Sequence, residues 1–152
     1  MATRATAPKA VPAPKPKPAR VTAKEVMQSP VIAATPQASL RDLAARLITN
    51  EFSGMPVADP DGRVVGVITE ADIIRVLLEG KHLENLTAAA VMTGPALTVD
   101  VKASLEEVME CLEENKIVRV PVTENNKLVG IIARRDAIRA FLEPEFMVFR
   151  ET

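Results

Sequence analysis

The chain has 152 residues, 47% of them hydrophobic, with no Trp, no Tyr and four Phe, so it suits one domain or two small halves around an aliphatic core. Five of its 19 basic residues lie in residues 1–20, which hold no acid. The other 14 face all 20 acids, and a body at net −6 argues against general nucleic-acid binding. The single cysteine excludes an intramolecular disulfide and any cysteine-rich metal site.

Residues 1–20, with the run Pro12-Ala13-Pro14-Lys15-Pro16-Lys17-Pro18, cannot build a core and read as an extended tail. That tail is either a plain solvated leader or a basic tether for an acidic surface. It holds no apolar stretch of a secretory signal, and no run anywhere reaches the roughly 18–20 apolar residues of a membrane helix. With the lone thiol, this gives the expectation of a cytoplasmic protein that does not enter a membrane.

From residue 21 the chain is one unit written twice. Val21-Thr22-Ala23-Lys24-Glu25-Val26-Met27 is echoed 65 positions later by Leu86-Thr87-Ala88-Ala89-Ala90-Val91-Met92. At the same offset Pro30 matches Pro95, Ser39-Leu40 matches Ser104-Leu105, and Pro56-Val57 matches Pro121-Val122. Beyond the next turn the offset falls to 64, so Gly66 matches Gly130 and Asp72 matches Asp136; one residue is lost in a turn, where deletions are tolerated best.

Each unit opens with a short helix ending near its Met, and a short extended segment follows the Pro. An amphipathic helix comes next, with Leu40, Leu43, Ala44, Leu47 and Ile48 on one stripe, repeated by Leu105, Val108, Met109 and Leu112. Ser39 and Ser104, each with an acid three residues on, supply the start signals. A hairpin follows, turning at Asp59-Pro60-Asp61-Gly62 in the first copy and Glu124-Asn125-Asn126 in the second. Its return strand runs from Val64 to Ile68 or from Leu128 to Ile132, through Gly66 or Gly130, and turns straight into a closing helix. The glycines allow a backbone or a ligand to come close. The first closing helix ends at Gly80, and the second runs from about Arg134 to Leu142 with Glu143-Pro144 as its stop. The order is helix, strand, helix, strand, strand, helix, twice. The fold class is α+β, with two repeats related by a pseudo-two-fold axis and packed through their small sheets. The boundaries are tail 1–20, repeat 21–80, linker 81–85, repeat 86–142 and extension 143–152. The apolar Phe146-Met147-Val148-Phe149 is expected to dock on the body or in a dimer interface.

A strand running into a helix leaves unpaired N–H groups and a partial positive charge at one spot, which favours an anion. The repeat makes two such corners, in clefts between the halves. At the first, Thr69 and Asp72 are either ligand contacts or a capping box, which helices use without any ligand. At the second, Ala133 replaces the Thr, which removes the hydroxyl contact and the capping explanation for Asp136. Arg134 and Arg135 then stand in a first helical turn, against the macrodipole. Arg119 precedes Pro121 by two positions, where the first copy has Gly54. The three arginines are either a phosphate site or solvated charges paired with glutamates. His82 has no metal-ligand company, and Cys111 sits in an amphipathic helix with no base nearby in sequence. Glu106-Glu107 and Glu113-Glu114 look like a solvated face, and no Walker-type loop is present, so an enzyme is not expected.

The doubled pattern of Val-Met-x-x-Pro, Ser-Leu, Pro-Val and Gly-h-h-x-x-x-Asp, with h aliphatic, resembles a tandem pair of CBS domains, the Bateman module, over about residues 21–142. The resemblance implies a stand-alone regulatory module that binds AMP, ADP, ATP or S-adenosylmethionine, with no catalytic cofactor and no metal. It further implies a homodimer that signals to an effector protein in trans. Carried over residue by residue, it implies that Asp72 and Asp136 take ribose hydroxyls and that Thr69, Arg119, Arg134 and Arg135 hold phosphate. Pro30, Val31, Ile32, Pro56, Pro95, Ala96, Leu97, Val120 and Pro121 would enclose adenine. It also pairs Asp136 with the Pro30 segment and Asp72 with the Pro95 segment. Of the two clefts, the Asp136 one has the cations, and a ligand with a neutral tail suits the other. A ligand-free dimerisation scaffold is the rival reading, kept open by Ala133 and Gly54.

Overall fold

The structure, a computed structural model, describes residues 21–150 and the side chains of residues 21–143. The expectations for the tail 1–20 and for docking of Phe146–Phe149 fall outside those residues and side chains. The elements are α1 (Ala23–Val26), α2 (Leu40–Asn50), β1 (Gly54–Ala58), β2 (Val64–Thr69) and α3 (Glu70–Leu78). A 3₁₀ turn at Leu83–Asn85 leads to α4 (Ala88–Val91), β3 (Val99–Asp100), α5 (Leu105–Glu114), β4 (Arg119–Glu124), β5 (Lys127–Ala133) and α6 (Arg134–Arg150).

Both amphipathic helices form where the stripe requires, except that Ile48, placed on the stripe of α2, is 79% exposed near the end of the helix. Ser104 Oγ accepts from Glu107 N–H at 3.1 Å, while Ser39 Oγ accepts one residue earlier, from Arg41 N–H at 3.2 Å. Leu40, Leu43 and Leu47 of α2, and Leu105, Val108 and Leu112 of α5, are buried. The hairpins β1–β2 and β4–β5 are antiparallel, and each carries a register shift at the same place, after Val57 and after Val122. The shorter second turn works because Asn125 and Asn126 both adopt positive φ, 51° and 66°.

Two expectations are corrected. The extended segment of the first copy is not a strand: it touches β1 at a single parallel bridge, Ala34 to Val57. Its counterpart Val99 pairs with Val122 and extends by one residue into β3, giving sheets of two and three strands. The difference follows the sequence, since Pro36 removes a donor just where the first segment would continue. The closing helix of the second copy does not stop at Glu143-Pro144 but runs through to Arg150. An interior proline removes the bond its own nitrogen would make and crowds the carbonyl four residues back, at a cost of about 3 kcal/mol, yet here it does not end the helix.

The two repeats exchange their opening segments. Ala23 N–H donates to Ala103 C=O at 2.8 Å, and its counterpart Ala88 N–H donates to Ala38 C=O at 2.9 Å. Gln28 and Ile131 exchange two backbone bonds of 2.9 and 3.1 Å, and Thr93 and Val67 do the same at 3.1 and 3.0 Å. As a result α1 packs in the core of the second repeat, with Ala23 beside Leu105, Val120 and Ile132. Helix α4 packs in the core of the first, with Ala88 beside Leu40, Met55 and Ile68. Gly66 and Gly130 serve this exchange. A Cβ on Gly66 would lie 2.6 Å from Met92 Sδ, and a Cβ on Gly130 would collide with Met27. The close approach read from the glycines is that of a methionine from the other repeat.

Candidate functional site

Two clefts lie between the repeats, on either side of the pseudo-two-fold axis. Gly54 and Arg119 mark that axis: they are equivalent positions, and Arg119 Nη1 donates to Gly54 C=O at 3.3 Å. Equivalent residues can touch only where the symmetry axis passes. Both residues line both clefts.

The first cleft, about 620 Å³, is walled by Pro30, Val31, Ile32, Phe52 and Pro56 and carries Arg119, Arg134, Arg135 and Asp136. Strand β5 feeds α6 here, so Arg134, Arg135 and Asp136 occupy its first turn. Asp136 is 7% exposed. Its Oδ1 accepts from Gln28 Nε2 at 2.8 Å, and Oδ2 accepts from the backbone N–H of Ala133 at 2.8 Å. That second bond corrects the expectation that Ala133 ends the capping role of Asp136. The reverse half of a capping box needs only the N-cap backbone N–H, which alanine supplies. Arg134 Nε donates to Ile117 C=O at 3.1 Å, which ties its guanidinium to the axis side of the cleft.

The second cleft, about 470 Å³, is lined by Thr69, Glu70, Ala71, Pro95, Ala96, Leu97, Ile117 and Pro121. Asp72 is not among its lining residues. It is 3% exposed, with Oδ2 accepting from Thr69 N–H at 2.8 Å and Thr69 Oγ1 at 3.1 Å, and Oδ1 from Arg75 at 3.1 Å. Its carboxylate is used up by its own helix turn. Val120, expected at an adenine wall, lines neither cleft and is fully buried in the second core, because inward-facing positions alternate along β4.

Charge differs sharply between the clefts. Where the first has Arg134 and Arg135, the second has Glu70 and Ala71; where the first has Glu51, the second has Lys116, whose ammonium sits 3.5 Å from Glu113. Arg119 lies between them. Burial pulls its pKa down, while the carboxylates of Asp136 and Glu70 push it back up. Its Nε is buried without a hydrogen-bond partner. An orphaned guanidinium nitrogen costs free energy unless something else can use it.

Gln28, Phe52, Glu70 and Lys116 were missed from sequence. Only Glu70 had a signal, its equivalence to Arg134; the others enter through the exchange of segments and the ends of α2 and α5. Among the described residues no group of three His, Cys, Asp or Glu could hold a metal ion, and no helix is long and apolar enough to cross a membrane. Burial pushes the Cys111 thiol up, Glu114 adds to this, and a bond from Asn115 opposes it. A raised thiol is a poor nucleophile at neutral pH.

The CBS domain family matches this chain twice, at residues 23–79 and 88–143. The chain belongs to the CBS-domain family. Among its CBS-domain relatives is hypoxic response protein 1 of Mycobacterium tuberculosis, 29% identical over 129 residues, which cover 84% of this chain and 90% of that protein. A crystal structure of that response protein holds two coordinated zinc ions and superposes with a TM-score of 0.73 at 28% identity, covering 78% of this chain and 98% of the other. CBSX2, known from Arabidopsis thaliana, was solved in complex with AMP and superposes at 0.73 with 26% identity, over 82% of this chain and 98% of its own. The CBS-domain pair of the protein MJ0100, in complex with 5′-methylthioadenosine and S-adenosyl-L-methionine, gives 0.73 at 27% identity, over 82% and 98%. The mixed fold, its two repeats and its two small sheets are those of a CBS pair.

Proposed function

We propose that this CBS pair is a regulatory sensor that binds an adenosine nucleotide, AMP, ADP or ATP, in the first cleft. One observation carries the reading: a single cleft brings together the Asp136 carboxylate, three arginines and an apolar wall. Asp136 offers acceptor oxygens to a pair of ribose hydroxyls, with Gln28 yielding its bond to Oδ1. Arg119, Arg135 and the start of α6 face the phosphate, with Arg134 beside them, and Pro30, Val31, Ile32 and Pro56 flank the base. The AMP complex of CBSX2 supports this class of ligand.

The second cleft, with Glu70 at the helix start, suits an adenosine derivative with an uncharged or cationic tail, of the kind MJ0100 binds. There Thr69 and Pro95, Ala96, Leu97 and Pro121 are the contacts we assign, and Asp72 takes part only if it leaves its cap. That withdrawn carboxylate favours a rival account for this cleft, a scaffold with no ligand. The chain is read as a cytoplasmic binding module, not an enzyme, that dimerises and acts on an effector protein in trans.

Thermal-shift titration with AMP, ADP, ATP, S-adenosylmethionine and a GTP control tests the proposal. A ligand that binds only the folded chain stabilises it by about 2.7 kcal/mol at a hundredfold excess over Kd. A shift with adenine ligands and not GTP is expected. A flat response to all five makes the scaffold the better account.

A further inference from the structure

Each cleft has its own walls, yet the two draw on one guanidinium. Arg119 lines both, its repeat equivalent is the glycine it bonds to, and its Nε has no partner. Asp136 acts on it from the first cleft and Glu70 from the second. Lys116, the other cation of the second cleft, is engaged with Glu113. We propose that Arg119 is a shared phosphate ligand, so that a phosphate bound in the first cleft weakens phosphate binding in the second.

The coupling has a physical sign. A phosphate in the first cleft draws the guanidinium toward Asp136 and away from Gly54 C=O. Glu70 is then left without its countercharge in the second cleft, which repels a second anion and does not penalise an uncharged nucleoside. By linkage the effect is reciprocal, and couplings of this kind amount to about fivefold or more in affinity. The chain would thus hold one phosphorylated ligand tightly, leaving the other cleft to a ligand without phosphate.

The inference rests on the adenosine-ligand reading, and the test separates the two. In two-dimensional amide NMR of the full chain, Ala133 N–H reports the first cleft and Thr69 N–H the second. AMP and adenosine are titrated into the parent, into Ile32→Trp, which fills the first cleft, and into Ile32→Trp/Arg119→Ala. Val31→Trp replaces Ile32→Trp if the latter does not fold. With the first cleft filled, Thr69 is expected to respond at about fivefold lower AMP or less. Adding Arg119→Ala should remove that gain, and the adenosine midpoint at Thr69 should not move. An AMP midpoint at Thr69 unaffected by the block, or no response there at all, overturns the coupling while Ala133 still reports binding in the parent. If neither amide moves with AMP in the parent, the adenosine-nucleotide reading falls and the coupling with it.

Discussion

Asp72 and Asp136 occupy one motif position and do different work. Asp72 closes a full capping box with Thr69 and is bonded by Arg75, so its oxygens face its own helix. Asp136 keeps only the backbone half of that box and turns its other oxygen to Gln28 at the cleft. The difference lies at Oδ1 and not at the hydroxyl, which bonds Oδ2: Arg75 holds Oδ1 of Asp72 at 3.1 Å, whereas the matching Arg139 stands 4.0 Å from Oδ1 of Asp136 and Gln28 takes that oxygen at 2.8 Å. Asp136→Ala should therefore abolish AMP binding at the Ala133 amide and cost about 1 kcal/mol, the value of a cap, lowering Tm by about 2–4 °C. Calorimetry showing parent-like AMP affinity in that variant would remove Asp136 from the site. Arg119→Ala should weaken AMP and ATP roughly tenfold more than adenosine, the worth of a charge-assisted bond. Equal loss for all three ligands would deny Arg119 a phosphate role.

At the scale of elements, the repeat reads reliably where each element makes its own contacts. The leucine stripes, the serine caps and both hairpins depend on neighbours close in sequence, and they stand where the pattern puts them. The glycines do not. Gly66 sits in a strand because Met92, from the other repeat, fills the space its side chain would take. Gly66→Ala should destabilise by about 1–3 kcal/mol in urea unfolding, the usual range for overpacking. Adding Met92→Ala should cost less than the sum of the two single changes, because only the milder contact with Thr93 C=O, at 3.0 Å, is then left. Strict additivity would show that the methionine is not what the glycine accommodates.

For the whole molecule, the unit written in the sequence is not the unit that packs. A fragment of residues 21–85 keeps α1, which has no core of its own there, and loses Leu86, Ala88, Val91 and Met92, which complete the first core. A fragment of residues 33–94 retains that core entire. The second should show cooperative thermal unfolding by circular dichroism, and the first should not. The reverse outcome would deny the exchange of segments. The closing helices also leave apolar side chains outside at equivalent positions, Ile74 and Leu77 on α3, Ile138 and Phe141 on α6, each more than half exposed. For the homodimer we propose, Leu77→Asp with Phe141→Asp should convert a dimer to a monomer by analytical ultracentrifugation; a parent chain that is already monomeric removes the dimer.

By itself the sequence determined the α+β class, the two repeats, the element order and the family, because periodicity, caps and turn residues act over a few positions and the chain repeats them in register. It also held the candidate chemistry, since Arg119, Arg134, Arg135 and Asp136 stand in the motif positions. Tertiary structure decided which carboxylate faces a cleft, by bringing Gln28 from the other repeat to Oδ1 of Asp136. It decided that the opening segments cross over, so that each core and each cleft is built from both repeats. It brought Arg119 to the axis, where a single side chain borders two clefts. These outcomes rest on contacts between residues far apart in the chain, and no local pattern encodes which partner arrives.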